Sequence, residues 1–311
     1  MIANVPFANR HKSKICARTE FGMISRCIAY SPAHITGFFT TENSDDPRKK
    51  GSRGAGIVLE AGCLTTVEKA VSKNRRSLSK KIFINGKEET ARTTDAVLSK
   101  ILEDEGVTVS SSFDVPLMGG FGASASGAMS TAIAINHLYK KNLTSKEISE
   151  VAHVAEVENK TGLGDVDAIT IGGGLVVRKR GGSINYGSFD IVPVEPTKVG
   201  YVFFGEVSTR EILGNDKMMN RINEAGLKKL KGLLKKPTLE NFMNLSYEFS
   251  CETGLATGRM MDAIEEVRNN GGLASMAMLG ETVFAIGNYT SLKDFGELKE
   301  TEITFEHAHI I

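Results

Sequence analysis

Residues 116–128 read Pro-Leu-Met-Gly-Gly-Phe-Gly-Ala-Ser-Ala-Ser-Gly-Ala. A stretch so poor in bulky side chains takes its shape from what flanks it. Alternation over Ser110–Val115 predicts a strand leading in, and Ala125, Ala128, Ala132 and Ala134 predict a closely packed helix leading out. A helix start offers free backbone N–H groups and a partial positive charge. Gly119, Gly120 and Gly122 let the backbone close on a polyphosphate without side-chain clashes. The unit therefore predicts an anion cradle, to which Ser124 and Ser126 add hydroxyl ligands for phosphate or metal. It is not a Walker A loop, because no Gly-Lys-Ser/Thr ends it. Nor is it a G-x-G-x-x-G fingerprint, because the glycines fall at 120, 122 and 127. The competing reading is a flexible loop whose serines cap a helix.

A second unit follows. Thr144-Ser-Lys-Glu147 is a capping-box pattern that predicts a helix over Ser145–Asn159. Ile148, Val151, Ala152 and Ala155 form its apolar stripe, and Glu156 falls on that stripe. A carboxylate on a buried face needs a cation, a metal or hydrogen bonds. Metal ligation and a Lys or Arg partner near the helix end both meet that need. Next come Thr161-Gly-Leu-Gly-Asp165-Val-Asp167 and the triplet Gly172–Gly174. Two acids in a glycine-bounded turn are ordinary turn chemistry. Beside a phosphate loop, one of them can also sit against an attacking hydroxyl. Phosphoryl transfer asks mainly for positioning, metal charge and a base or orienting group.

Charge and cysteines narrow the classes. Lys plus Arg is 38 and Asp plus Glu is 37, a net charge of +1. That gives no general pull towards nucleic acid or membrane. Arg178-Lys179-Arg180 and the 228–236 stretch are the basic patches, and both read as solvated faces. Cys16, Cys27, Cys63 and Cys251 are scattered without a CxxC pair, which argues against a zinc or redox motif and fits a reducing cytoplasm. No stretch approaches the ~20 apolar residues of a membrane span.

Strand-like and helix-like runs mix in both halves, so the expected class is α+β. Residues 1–22 lack periodicity and are expected to be a disordered or non-native extension, with Met23 a candidate start. Strands are expected at Ser25–Tyr30, Gly54–Ala61, Ile169–Ile171, Leu175–Arg178 and Val199–Glu206. Asn85-Gly86 marks a hairpin. Helices are expected at Thr94–Glu105, Asp216–Leu234, Leu239–Phe249 and Arg259–Asn269, and two short strands, Ser275–Leu279 and Thr282–Ile286, close the pattern. Two prolines near Val194–Lys198 place a boundary between units 23–195 and 196–311.

Together these segments resemble the GHMP kinase superfamily, and the Gly-Phe-Gly-Ala-Ser-Ala-Ser-Gly run resembles its phosphate loop. A narrower resemblance, to the archaeal pantoate kinases, rests on four further segments. They are Ser31-Pro-Ala-His-Ile-Thr-Gly-Phe-Phe39, Gly51-Ser-Arg-Gly-Ala-Gly56, Thr161-Gly-Leu-Gly-Asp-Val166 and Ala274-Ser-Met-Ala-Met-Leu-Gly280. The resemblance implies a two-domain fold with the site in the cleft between an N-terminal ATP-binding domain and a C-terminal α+β domain. It implies ATP-dependent phosphorylation of the primary hydroxyl of pantoate for coenzyme A synthesis. By the same resemblance Gly119, Gly120, Phe121, Gly122, Ala123, Ser124, Ala125 and Ser126 hold the nucleotide, and Ser126 and Glu156 hold Mg2+. Asp165, which follows Gly164 directly, is the catalytic carboxylate in preference to Asp167. His34, Ser52 and Arg53 face pantoate, with Arg53 a bidentate partner for its carboxylate. Two other readings within the fold stay open: a kinase with a mevalonate-like acceptor, and a ribofuranosylaminobenzene-5'-phosphate-synthase-like member that is not a kinase. No nucleic-acid or membrane partner is implied, and a homodimer is left open.

Overall fold

The computed structural model describes residues 25–70, 80–205 and 216–311. The expected N-terminal extension lies outside them. One pairing organises the rest. Strand β1 (Arg26–Glu42) runs antiparallel to β2 (Gly51–Lys69) along its whole length. The expectation from sequence was a short strand, Ser25–Tyr30, then a loop before the strand at Gly54. Instead the strand continues, absorbing the irregular residues in register shifts at Pro32/Ala33 and Thr36/Phe38. Bulges are where a strand tolerates a proline and re-aims its side chains.

The other edge of β2 is shared. Its second half pairs β5 (Val107–Phe113) and its first half pairs β6 (Leu175–Arg180), which carries β7 (Ser188–Val192). Strand β3 (Lys80–Ile84) adds in parallel to β5, and β4 (Lys87–Glu88) closes the hairpin on Asn85-Gly86. Both turn residues have positive φ, 49° and 83°, as a two-residue I′ turn requires. The terminal strand β12 (His309–Ile310) returns to pair β1.

Four helices accompany this sheet: α1 (Arg92–Ile101), α2 (Ala123–Tyr139), α3 (Ser145–Asn159) and α4 (Asp165–Ile171). The small residues of α2 let it lie against β1 and β2, and Ala125, Ala128 and Ala132 are fully buried in one core with Val97, Leu98 and Ala152. The capping box of α3 forms as its sequence foretells. Helix α4 corrects the strand expected at Ile169–Ile171. A short apolar run reads alike as strand or buried helix, and here Val166, Ala168 and Ile169 are buried from a helix.

The second sheet is antiparallel, ordered β11-β8-β10-β9, from β8 (Lys198–Gly205), β9 (Leu273–Met276), β10 (Glu281–Ile286) and β11 (Lys299–Glu302). Helices α5 (Asp216–Lys235), α6 (Leu239–Thr253) and α7 (Gly258–Asn269) accompany it. The change of sheet falls between Val192 and Lys198. The far half of β1 belongs to this second core: Phe38 is fully buried between Phe242 and Phe249 of α6, with ring centroids at 6.0 and 6.5 Å. Phe38→Ala should therefore lower the unfolding free energy by about 3–5 kcal/mol. Urea unfolding followed by fluorescence or circular dichroism checks it; a loss under 1 kcal/mol would mean that the two halves do not depend on this contact.

Candidate active site

The glycine-rich loop enters α2 through Gly122, whose φ of 59° is left-handed. Gly120 to Ser124 line a cavity of about 550 Å³. Ile84, Thr90, Ala91 and Phe113, from β3, the connection between β4 and α1, and the end of β5, line it too, as do Thr36, Ser52, Asp165 and Arg178. The loop's back is closed by the β9–β10 turn. A Cβ on Gly280 would lie 2.1 Å from the Gly119 carbonyl carbon, so the two backbones touch.

Glu156 sits on α3 beneath this loop and is 2% exposed. Its Oε1 accepts a hydrogen bond from Thr161 Oγ1 at 2.7 Å, and Ser124, at the start of α2, stands near the carboxylate. No ion pair to a Lys or Arg holds it among the described residues. Burial, with the Asp165 charge adding, pushes its carboxyl up to about 7 against the pull of Ser124 and Thr161. Its other oxygen approaches Gly162 so closely that a Cβ there would lie 2.0 Å from Oε2. A half-satisfied carboxylate, a serine hydroxyl and a neighbouring second carboxylate form an oxygen donor set of the kind a hard divalent cation takes while keeping most of its water.

Asp165 opens α4. Its Oδ1 receives Nδ1–H of His34 at 2.7 Å and the Thr36 hydroxyl at 3.4 Å. The second oxygen, Oδ2, is left to the cavity. Arg178, 1% exposed, reaches the same spot from β6, donating to Thr36 Oγ1 at 3.2 Å and to His34 Nε2 at 3.5 Å. These contacts define the imidazole: Nε2 accepts, Nδ1 donates, and the ring is neutral. Burial holds His34 below its ordinary value, outweighing the pull of Asp165. Burial would raise the Asp165 carboxyl, but the hydrogen bond from His34, with the Arg178 charge, holds it below the ordinary carboxylate range. The site thus keeps an ionised carboxylate against a buried guanidinium, with a neutral histidine fixing both.

Residues 88–173, which carry the loop, Glu156 and Asp165, match the family model for the GHMP kinases N-terminal domain. A pantoate kinase of Methanocaldococcus jannaschii is 35% identical over 85% of this chain and 94% of its own length. The chain belongs to the pantoate kinase family. A second family member, from Thermococcus kodakarensis, is 36% identical over 83% of this chain and 86% of its own. A solved structure described as a phosphotransferase related to the CoA biosynthesis pathway superposes with a TM-score of 0.83 at 30% identity, covering 92% of this chain and 98% of that one. The fold is the two-domain α+β fold of GHMP kinases. No helix among the described residues is long and apolar enough to cross a membrane.

Against this family background the structure brings together most, but not all, of the residues singled out from sequence. Gly120, Phe121, Gly122, Ala123 and Ser124 line the cavity; Gly119, Ala125 and Ser126 do not. Ser126 is fully buried and gives its hydroxyl to Pro32 O at 2.8 Å and Gly122 O at 3.1 Å, tying α2 to β1. Ser124, not Ser126, is the serine that lines the cavity and stands near Glu156. Ser52 lines the cavity as expected. His34 stands behind Asp165 rather than on the wall. Arg53 is a clear departure: its guanidinium makes a bidentate pair with Glu42 at 2.7 and 2.9 Å and is absent from the cavity wall. Arg178, read from sequence as part of a solvated basic patch, is instead buried and lines the cavity. A signal was available. In Leu175-Val-Val-Arg178 both strand parities are apolar, so both faces are covered, and an arginine there must be buried with partners.

Asp167, the other acid of the turn, is fully buried and points away from the cavity. Its Oδ2 lies 2.7 Å from His153 Nδ1, while His153 Nε2 donates to Lys50 O at 2.9 Å. A carbonyl can only accept, so Nε2 carries a proton. Burial lowers the His153 imidazole, but the Asp167 charge and the two hydrogen bonds more than reverse this and raise it above 6.5. The sign follows from linkage. A raised histidine stabilises the fold fully below the unfolded value and loses that contribution as pH climbs through the folded one. Denaturation midpoints should therefore fall above neutral pH in the wild type and fall less in His153→Gln. Parallel pH profiles for the two proteins would show that this pair does not titrate with folding.

Proposed function

We propose that this chain catalyses ATP-dependent phosphorylation of the primary hydroxyl of (R)-pantoate to 4-phosphopantoate, with Mg2+ as the metal, in coenzyme A biosynthesis. The observation that carries the reading is Arg178, a buried cation that lines, with Asp165, the same cavity as the glycine loop. A hydroxy acid fits between Arg178 and Asp165. Its carboxylate meets Arg178 and the Ser52 hydroxyl, and its hydroxyl meets Asp165. Arg178 Nε is buried without a hydrogen-bond partner, a costly state that an anionic acceptor relieves.

Asp165 Oδ2 accepts the hydrogen bond of the incoming hydroxyl and takes its proton as the oxygen–phosphorus bond forms. His34 and Thr36 act through Oδ1, fixing the carboxylate so that its free oxygen faces the acceptor. The backbone of Gly120–Ala123 and the start of α2 hold the nucleotide's phosphates. Ser124 and Glu156 are the residues that would hold Mg2+, which when bound neutralises charge on the transferring phosphoryl group. Because its carboxyl is pushed up to about 7, Glu156 must shed a proton to bind the metal near neutral pH.

Purified protein with MgATP should turn over pantoate far faster than mevalonate or homoserine in a coupled ADP-release assay. Equal turnover of mevalonate would redirect the acceptor assignment. Asp165→Asn should cut kcat by about 10²–10⁴ with nucleotide affinity kept. Arg178→Met should raise the KM for pantoate well above any change for ATP. The Mg2+ concentration needed for half activity should rise as pH drops below about 7. Glu156→Gln should flatten that dependence and, in metal-free buffer at pH 8, melt higher than wild type, because it removes a buried charge. A lower melting temperature for Glu156→Gln would make this carboxylate a structural anchor instead.

A further inference from the structure

A second cavity, about 880 Å³, adjoins the first and shares Arg92, Lys160, Gly162 and Leu163 with it. The turn from Lys160 to Leu163 is the partition between them. The β1–β2 hairpin runs through both: Thr36 and Ser52 line the first cavity, Thr41 and Lys50 the second. Thr41 lies five residues beyond Thr36, roughly 16 Å along an extended strand. The far part of the second cavity is thus too distant from Asp165 for an acceptor to react there.

Its charge is one-sided. Lys50, Arg92 and Lys160 line it and make no ion pair among the described residues. The one acid on its wall, Glu158, is already bound to Lys100 at 2.8 Å. Asn223, also on the wall, spends its carbonyl oxygen on Thr40 and on Thr41, which leaves its NH2 as the group to offer. Three cations facing a single acid that is already paired describe a place for a small organic anion.

We propose that this second cavity is an antechamber that binds the carboxylate of the acceptor acid before it reaches Asp165. Lys50 and Lys160 hold the anion electrostatically and raise its rate of arrival; Arg92 does so from the start of α1. The inference rests on the kinase reading above for the identity of the acid.

Lys50 gives the cleanest test, because its side chain lines only the second cavity while its backbone carbonyl, bonded to His153, is untouched by substitution. Lys50→Gln should lower kcat/KM for pantoate about 3- to 10-fold at low salt, with kcat and the KM for ATP unchanged. Lys50→Glu should lower it further, and Lys50→Arg should restore it. The deficit should shrink as added salt screens the wild type. Wild-type kcat/KM in both Lys50→Gln and Lys50→Glu, or a deficit that ignores salt, overturns the antechamber. A wild type that turns over no pantoate sinks the kinase reading instead. Calorimetric titration of nucleotide-free protein with sodium pantoate then decides the antechamber alone: it stands if Lys50→Glu weakens binding and falls if wild type and variant bind equally or not at all.

Discussion

The antiparallel pairing of β1 with β2 runs from Arg26 against Glu68 to Glu42 against Gly51, and each half of the ladder has a different duty. Near Arg26 it is a platform for α2, so that the glycine loop meets the sheet at a set height. Towards Glu42 it turns its aromatic residues into the second core, so that helices from the other half of the chain rest on the same strand. Between these stretches sit the two register shifts, and between the shifts lie His34 and Thr36. Two residues apart, they share one face of the strand, and from it both reach Asp165. The shifts on either side are where the ladder absorbs Pro32 and Gly37.

The electrostatics follow from burial more than from net charge. Three acids lie within a short span of sequence and behave in three ways. Asp165 is kept ionised by donors on one oxygen, Asp167 is committed to His153, and Glu156 is left under-solvated beside the Thr161 hydroxyl. Separate environments let neighbouring carboxylates carry different protonation states at one pH, which is what a site that must both hold a cation and receive a proton requires. The His153–Asp167 pair also joins three segments, each bearing a residue of the candidate site: α3 with Glu156, α4 with Asp165, and the start of β2 with Ser52. It is a fastening within the fold that no single segment could supply.

What was legible in the sequence was local. The strand–loop–helix unit around Gly120, the capping box at Thr144 and the Asn85-Gly86 hairpin are each specified by residues a few positions apart, and they formed where expected. What was obscured depended on distant packing. Ser124 and Ser126 are two residues apart on a helix and point to different sides. Which of them faces Glu156 is settled only by how α2 lies on β1, where Pro32 O claims Ser126. Arg53 and Arg178 both follow glycine-containing segments; Glu42, across the ladder, claims one, and the covered strand β6 buries the other. The continuation of β1 through residues 31–39 was hidden for the same reason, since proline and glycine argue against a strand unless a partner such as β2 enforces it.

The backbone contact between Gly119 and Gly280 reaches beyond packing. These residues lie 161 positions apart, one before α2 and one between β9 and β10, and Gly280 has no room for a side chain where they meet. The halves of the molecule are therefore not interchangeable modules. A chimera joining the first half of this chain to the second half of a relative would inherit a phosphate loop whose support comes from the foreign partner. Only relatives presenting a bare backbone at the matching turn could donate it, so the two halves are bound to diverge as a pair.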